Sequence, residues 1–356
     1  MIHISNNPTI SVIITAYNRT EFLKECVISV LNQDINPDDV EIIVIKNFTN
    51  LEIDNFLNKH SVKTVLTNDC PIGKMLSLGV IEAKGELISF LDDDDLFFSN
   101  KLTYVVTKFK TNQDLLYYHN SQTIIDNRSK IVFNTKIEKK TLNICLSHQT
   151  NMKSALIGFK KNDVSLDSFF FNLSSITLKR TLLTENLPYL EDLKAHTDDF
   201  MFYLSIVQPN CKLCSEEVKL TYYRYHDSTT NVLTKKNYDE LLNKRIDLFY
   251  KSINSSQLFV DMVNDKTLKR YARSKLEYEQ IRLDKLRGET IGVFKGVMKL
   301  ILNRHLAVIE YDRRKRLKTY LGLFVYISFY TFSKRIKFLQ KLQETHNEIQ
   351  SLSRYS

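Results

Sequence analysis

Short apolar runs alternate with helical patterns from residue 10 onward, and this alternation constrains the fold more than any other feature of the chain. Apolar residues recur at helical spacing within 18–33, 51–59 and 72–83, and Asn18 or Thr20 is the expected N-cap of the first helix. Strand–helix alternation of this kind predicts an α/β fold, with a mostly parallel sheet flanked by helices. The four runs that indicate strands are rich in β-branched residues: "ISVIITA" (10–16), "VEIIVIK" (40–46), "VKTVLT" (62–67) and "ELISFL" (86–91).

The remainder of the chain follows a less regular pattern. "DLLYYHNSQTIID" (114–126) and "VKLTYYRYH" (218–226) indicate further strands, whereas "SSITLKRTLLTEN" (174–186) and "TDDFMFYLSIVQ" (197–208) indicate helices. Beyond residue 234 the patterns are long, charged and helical. We therefore expect a main domain over 1–232 and a helical C-terminal region over 233–356.

The net charge does not indicate nucleic-acid binding. The formal charge is +9, but residues 292–341 hold 12 lysines and arginines and only two acidic residues. The whole basic excess therefore belongs to the C-terminal region, and the remaining residues together carry a charge of about −1.

The cysteines and the N-terminus both favour a cytoplasmic location. Five cysteines at irregular spacings form no disulfide framework, and their odd number is typical of a reducing compartment. Cys211 and Cys214 form a lone CxxC, which we interpret as two ordinary thiols rather than a zinc site. The first ten residues lack the basic start and apolar run of a signal peptide.

Four consecutive carboxylates, Asp92 to Asp95, follow the fourth predicted strand directly. Ligands bind beyond the carboxyl ends of strands in parallel sheets, and the loop after the first strand ends at the same edge. Asp92 and Asp94 are expected to face this crevice and hold Mn²⁺ or Mg²⁺, while Asp93 points away and Asp95 caps the helix near Asn100. A solvated acidic loop is the alternative reading of the same residues.

Five stretches in order resemble glycosyltransferase family 2, whose members are inverting, nucleotide-sugar-dependent enzymes of the GT-A (Rossmann-like) fold. The resemblance covers roughly residues 9 to 232. The stretches are "SVIITAYNRTEFLKECVISVLNQ", "AKGELISFLDDDDLFFSNKL", "SSITLKRTLL", "TDDFMFYLS" and "YRYHDSTTN". It implies a GT-A catalytic domain over 1–232, with a nucleotide-binding half (9–110) and an acceptor half (111–232).

The resemblance also implies roles for individual residues. Asp199 corresponds to the catalytic base, Asp94 to the principal metal ligand, and His226 to a group near the metal or the diphosphate. Arg224 or His226 would assist the metal in neutralising the leaving group. The residues implied for the nucleotide-sugar are Thr15, Ala16, Tyr17, Arg19, Asn47, Lys74, Asp92 and Asp93, and those implied for the acceptor side are Ser174, Ser175 and Asp198.

Two departures from the family pattern affect the expected donor. The acid that usually ends the second strand and reads the nucleobase is replaced by "KNFT" (46–49). Leu76 and Ser77 stand where the family often has Arg-Asn, and Lys74 is the expected substitute for the lost diphosphate contact. A UDP-sugar is the expected donor, with a GDP-sugar as the alternative.

The C-terminal region contains "TYLGLFVYISFYTFS" (319–333), an uncharged aromatic run between "RRKRLK" and "KRIK". Fifteen residues are fewer than the roughly 20 that a spanning helix needs. We expect the basic and aromatic segment 292–341 to make peripheral contact with the cytoplasmic face of a membrane. The alternative is that the run packs against the catalytic domain or the second copy of a homodimer.

The predicted function is metal-assisted transfer of a sugar to an acceptor hydroxyl of a lipid-linked or surface glycan. A catalytically inactive binding or scaffold subunit of the same fold is one alternative. A sugar-nucleotide pyrophosphorylase is another, although "TAYNRTEF" lacks the glycine-rich phosphate loop that such an enzyme needs.

Overall fold

The computed structural model describes residues 7–68, 70–133, 143–147, 169–208, 212–225, 238–264, 266–289, 291–293 and 295–296. The chain divides into two compact units. The first comprises Met1–Asn151 with Val164–Tyr225, and the second comprises Met152–Asp163 with His226–Ser356.

The first unit is built on one twisted sheet with helices between its strands. The sheet order is β3-β2-β1-β4-β8-β6-β9-β5, and β7 pairs with β9 outside this path. The strands are β1 (Ile10–Ala16), β2 (Val40–Lys46), β3 (Lys63–Leu66), β4 (Leu87–Asp92), β5 (Leu96–Phe97), β6 (Leu115–Ile125), β7 (Ile144–Ser147), β8 (Ile176–Lys179) and β9 (Lys212–Arg224). The helices are α1 (Leu23–Leu31), α2 (Leu51–Lys59), α3 (Ile72–Glu82), α4 (Lys101–Thr111), α5 (Arg180–Thr184), α6 (Leu187–Glu191) and α7 (Thr197–Ile206).

The sheet is parallel in its first half, as the sequence predicts. β1 pairs in parallel with β2 and β4, and β2 pairs in parallel with β3. Every residue of β1 is buried, because both faces of a central parallel strand are covered by helices. Val12 and Ile14 pack with Leu23 and Val27 of α1 in the same core. The predicted α/β class is confirmed, and antiparallel pairs appear only where β8, β5 and β7 join the described sheet.

Two local predictions are wrong. Residues 176–179 form strand β8 rather than the start of a helix, because they fill the gap between β4 and β6 and are hydrogen-bonded on both sides. Helix α1 begins at Leu23, with Phe22 as its N-cap, and not at Asn18 or Thr20. Asn18 has φ 51°, a left-handed conformation that belongs to the loop after β1.

The structure also corrects the expectation about cysteines. β7 pairs antiparallel with β9, which places Cys145 directly opposite Cys214, and the two are disulfide-bonded. The bond joins residues 69 apart in the sequence, so it follows from a strand pairing that cysteine spacing does not reveal. Cys211, the other member of the CxxC, lies outside the described residues.

The second unit is helical where it is described, which agrees with the predicted helical extension. Helices α8 (Tyr238–Met262) and α9 (Lys266–Arg287) pack against each other. Arg282 lies over the ring of Phe249, 4.7 Å from its centroid, and Arg287 Nη1 donates to Tyr250 Oη at 3.0 Å. Among the described helices, none has the length and apolar character needed to cross a bilayer. The aromatic run 319–333 lies outside the described residues.

Candidate active site

The carboxyl ends of β1, β2 and β4 lie side by side at one edge of the sheet. Thr15 in β1 is paired with Asp92 in β4, and Ala16 is paired with Lys46 in β2. Tyr17, the next residue after β1, is 38% exposed. The first loop and the acidic run therefore share the edge where parallel α/β sheets bind ligands.

Residues Asp92 to Asp95 form a tight turn, in which the Asp95 amide donates to the Asp92 carbonyl at 3.1 Å. They are called the acidic turn from here on. Arg19, from the loop after β1, binds this turn. Its Nε donates to Asp93 Oδ2 at 3.1 Å, and its Nη2 contacts Asp93 and lies 2.7 Å from Asp94 Oδ2. Asp93 is therefore buried against a guanidinium and does not point away as expected.

Asp95 is buried, and its carboxylate is engaged by three protein donors. Oδ2 accepts from Asn172 Nδ2 and from Ser174 Oγ, each at 2.7 Å, and Oδ1 accepts from the Arg224 amide at 2.8 Å. The predicted capping role is wrong, because α4 has Asn100 as its N-cap without any side-chain cap. Through these hydrogen bonds, Asp95 instead connects the acidic turn to β9 and to the segment before β8.

Burial and mutual repulsion raise the pKa values of the acidic turn. Burial, followed by the charges of the neighbouring carboxylates, raises the pKa of Asp92 well above its usual range. Burial raises the pKa of Asp93 to about 6, although Arg19 acts in the opposite direction. Burial and the charge of Asp94 raise the pKa of Asp95 to about 7. Negative charge is thus concentrated at a place where a bound cation would stabilise it.

The donor atoms of the turn fit a hard divalent cation. One oxygen each of Asp92, Asp94 and Asp95 lie within 4.8 Å of one another. Asp95 has three protein donors on its two oxygens, and Asp94 is paired with Arg19, which a bound ion would have to replace. Asp92 and Asp94 are therefore the carboxylates of this set proposed to bind an ion. Mg²⁺ needs only one or two protein carboxylates, and Mn²⁺ accepts similar oxygen ligands. His226, the other predicted metal ligand, lies outside the described residues.

The segment just before β8 supports the acidic turn. Ser174 Oγ accepts from the Asp92 amide at 3.0 Å while donating to the last carboxylate of the turn. Asn172 has φ 74°, a strained conformation for this residue, and donates to the same carboxylate. Ser174 and Ser175 are completely buried, and their predicted contact with an acceptor stays a prediction. In the structure Ser174 holds the turn.

A buried polar layer fixes this segment in turn. The ammonium of Lys101, in α4, donates to the Ser174 carbonyl and to Thr221 Oγ1, the latter at 3.0 Å. His119 in β6 is hydrogen-bonded through Nε2 to the Phe171 carbonyl at 3.0 Å. Burial lowers the pKa of Lys101 well below its usual range and lowers the pKa of His119 to about 4. Neither residue is predicted as part of the site from the sequence, in which the one relevant feature is a lysine shortly after the four aspartates.

Lys46 and Asn47 lie at the end of β2, where the family resemblance predicts an acidic residue that contacts the nucleobase. The Lys46 ammonium is buried, donating to the Phe48 carbonyl at 2.6 Å and lying 2.8 Å from Asp54 Oδ1. Asn47 and Asn18 bind each other reciprocally: the Asn18 amide donates to Asn47 Oδ1 at 2.8 Å, and Asn47 Nδ2 donates to Asn18 Oδ1 at 3.0 Å. The Asn18–Asn47 pair thus joins the carboxyl ends of β1 and β2.

Lys74 lies in the first turn of α3, where it forms an ion pair with Glu191 of α6. The two helices are in backbone contact at this point. The Gly73 amide donates to the Leu193 carbonyl at 3.0 Å, and a Cβ on Gly73 would lie 2.1 Å from the Leu190 carbonyl oxygen. The contact between Lys74 and a diphosphate stays a prediction.

A second polar cluster forms at the start of α7. Ligand atoms of His196, Asp198 and Asp199 lie within 4.8 Å of one another. Asp199 is buried, and its amide donates to Asp198 Oδ1 at 2.9 Å. Burial and then the charge of Asp198 raise the pKa of Tyr117, which places this cluster beside β6. The predicted base therefore has polar neighbours on its own helix turn.

Residues 11–175 match the family model described as "Glycosyl transferase family 2". This region belongs to glycosyltransferase family 2. The matched region begins in β1, includes the acidic turn and ends at Ser175. The resemblance found from the sequence motifs is thereby confirmed.

Curated relatives carry glycosyltransferase names. An "Uncharacterized glycosyltransferase" of Rickettsia bellii is 29% identical over 165 residues, which cover 43% of this chain and 23% of that protein. "Poly(ribitol-phosphate) beta-N-acetylglucosaminyltransferase TarP" of Staphylococcus aureus is 23% identical over 294 residues, covering 76% of this chain and 84% of TarP. The chain spans only 23% to 66% of the length of the first three curated relatives that it matches.

A solved structure also matches the chain. The structure titled "Crystal structure of S. aureus TarS 1-349 in complex with UDP-GlcNAc" has a TM-score of 0.48 and 14% sequence identity, and the match covers 86% of this chain and 92% of that one.

Proposed function

We propose that this protein is an inverting glycosyltransferase that moves a sugar from a nucleoside-diphosphate sugar to an acceptor hydroxyl. The observation that carries the proposal is the acidic turn at the carboxyl edge of the sheet, where Asp92 and Asp94 lie next to the loop after β1. The family match over residues 11–175 supports the same reaction class. We further propose that the catalytic domain spans 1–232.

The diphosphate of the donor and the acidic turn are both negatively charged, so they need a cation between them. Asp92 and Asp94 would hold Mn²⁺ or Mg²⁺, with His226 as a further proposed ligand. A bound divalent cation would neutralise the charge that develops on the leaving diphosphate. Tyr17 and the Asn18–Asn47 pair border the same edge and are proposed to contact the nucleoside.

Asp199 is the proposed general base. An acceptor hydroxyl attacks the anomeric carbon as its proton passes to a carboxylate, and a single displacement inverts that centre. Asp198 would orient the acceptor beside it. The cluster at the start of α7 supports this role, because Asp198 and Asp199 have carboxylate oxygens within 4.8 Å of each other.

A UDP-sugar is the proposed donor. TarP, which aligns with 76% of this chain, is named as a beta-N-acetylglucosaminyltransferase. The lysine that replaces the expected acid, Lys46, is buried and engaged by Asp54, so recognition of the base would fall to neighbouring amides. A GDP-sugar is therefore included in the test.

Donor hydrolysis and transfer, followed with Mn²⁺ present, test the proposal. Asp199→Asn should lower kcat by about 100-fold or more with little change in KM. Asp94→Asn should raise the Mn²⁺ concentration needed for half-maximal rate, whereas Asp38→Asn, an exposed carboxylate, serves as the matched control. Equal, negligible turnover of UDP- and GDP-sugars by the wild type and Asp199→Asn would reject the enzyme and favour a non-catalytic binding subunit.

Peripheral membrane contact is proposed from the sequence of 292–341. The full-length chain should pellet with vesicles that contain anionic phosphatidylglycerol, less so at high salt. A chain ending before Gly292 should stay in the supernatant; if it still pellets, the contact lies elsewhere.

A further inference from the structure

The side chain of Arg224, the last residue of β9, is completely buried within the first unit. Its guanidinium donates from Nε to the Asp94 carbonyl at 2.7 Å and from Nη1 to the Asp126 carbonyl at 2.9 Å and Ser129 Oγ at 3.0 Å. From Nη2 it donates to Glu25 Oε2 at 2.8 Å. Four of the five N–H groups of an arginine are thus engaged by the protein itself.

These contacts do not suit the diphosphate-binding role that the sequence suggested. A guanidinium with no exposed surface and four protein acceptors has little capacity left for a phosphate. Its face is also covered, because the ring of Phe22 lies 4.4 Å from its central carbon. Arg224 is better explained as a structural connection to the acidic turn.

Arg224 binds the acidic turn on both sides of one peptide bond. Its side chain holds the carbonyl of Asp94, and its backbone amide donates to the carboxylate of Asp95 at 2.8 Å. The orientation of the Asp94–Asp95 peptide, and with it the direction of the Asp94 carboxylate, therefore depends on where Arg224 is held.

Among the described residues, Glu25 in α1 is the carboxylate that pairs with the Arg224 guanidinium. Its side chain is 44% exposed, and it also accepts a hydrogen bond from Ser129 Oγ. Ser129 belongs to a turn fixed by Asp126, whose Oδ1 accepts from the Arg128 and Lys130 amides at 2.8 and 2.9 Å. Glu25 and this turn hold the far end of the guanidinium.

We propose that Glu25 is a positioning residue for the metal centre, acting through Arg224 on the peptide that carries Asp94. The inference rests on the proposed function, because it requires that the acidic turn bind a cation. Glu25 does not touch the ion. It stabilises the buried guanidinium, and the guanidinium keeps the carboxylate of Asp94 directed at the ion.

Mn²⁺ binding to the full-length protein, measured by electron paramagnetic resonance with and without UDP, tests the inference apart from turnover. Glu25→Gln keeps the size of the side chain but removes its charge, and it should raise the Mn²⁺ Kd about tenfold. Ser129→Ala removes one contact to both partners and should raise the Kd by a smaller factor. Glu21→Gln is the matched control, because it removes the same charge from an exposed position four residues earlier.

Saturating Mn²⁺ should restore the kcat of Glu25→Gln, since only the positioning of the ligand is impaired. A Kd unchanged in both Glu25→Gln and Ser129→Ala, while the wild type binds Mn²⁺, would overturn the inference and leave the proposed function standing. An equal shift in Glu21→Gln would also overturn it, because the effect would then be one of overall charge. A wild type without Mn²⁺ affinity would overturn the proposed function and the inference together.

Discussion

Acidification should destabilise the fold through His119. This residue is completely buried in β6, hydrogen-bonded through Nε2 to the Phe171 carbonyl and through Nδ1 to Ser215 Oγ, each at 3.0 Å. Burial, with a contribution from the charge of Lys101, lowers the pKa of His119 from 6.5 to about 4. The imidazole therefore stays neutral in the folded chain at pH values where the unfolded chain binds a proton.

The magnitude follows from the two pKa values. Because the folded pKa lies below the unfolded one, the stabilisation is complete above pH 6.5 and is lost as the pH falls toward 4. Between about pH 7.5 and pH 5.0 the loss is about 2 kcal/mol in the free energy of unfolding. Asp93 and Asp95 act in the opposite direction, since their pKa values are raised to about 6 and about 7.

A comparison of variants separates the two effects. Urea unfolding at both pH values gives the change in the free energy of unfolding on acidification, once for the wild type and once for His119→Gln. The contribution of the acidic turn is the same in both proteins and cancels when the two changes are subtracted. The wild type should lose about 2 kcal/mol more than His119→Gln on acidification. His60→Gln, at an exposed histidine, is the control and should follow the wild type. Parallel pH dependence of the wild type and His119→Gln would refute the reasoning.

Three further perturbations have defined outcomes. Gly73→Ala should lower the free energy of unfolding by about 2 kcal/mol in urea, because the added Cβ would lie 2.1 Å from the Leu190 carbonyl oxygen; an unchanged midpoint would contradict this packing. Reduction of Cys145–Cys214 by dithiothreitol should lower the free energy of unfolding by about 4 kcal/mol, because the bond closes a loop of 69 residues. The double serine variant, as the control, should melt identically with and without reductant. Arg19→Met should lower the Kd for Mn²⁺, measured without nucleotide, by on the order of tenfold, because the substitution removes the guanidinium that competes with the ion for the acidic turn. Weaker binding would show that Arg19 organises the turn instead.

The parts of the fold that local patterns specify were predictable. β1, β2 and α2 begin and end where the apolar runs and the helical spacing place them. The sequence predicts a helix over 176–179, but these residues form a strand, because the structure of a short apolar stretch depends on the neighbours with which it pairs, here β4 and β6. Local sequence contains no information on that pairing.

The same distinction applies to the site. The position of the acidic turn followed from a strand that ends in carboxylates, so it could be inferred from adjacent residues. The partners of the turn could not: Arg19 is 74 residues from Asp93, and Asn172 is 77 residues from Asp95. Such contacts are set by the order of strands in the sheet, which brings β8 and β9 next to residues far away in the chain.

The four aspartates of the acidic turn look interchangeable when the sequence is read, but each has its own surroundings in the folded chain. A survey of all substitutions would therefore give four different tolerance profiles rather than one. Asp95, enclosed by donors, should reject even an extra methylene, and Asp93 should accept only residues that satisfy Arg19. The four identical residues therefore have different structural roles. A homologue that kept only three of the four acids would lack one particular set of contacts.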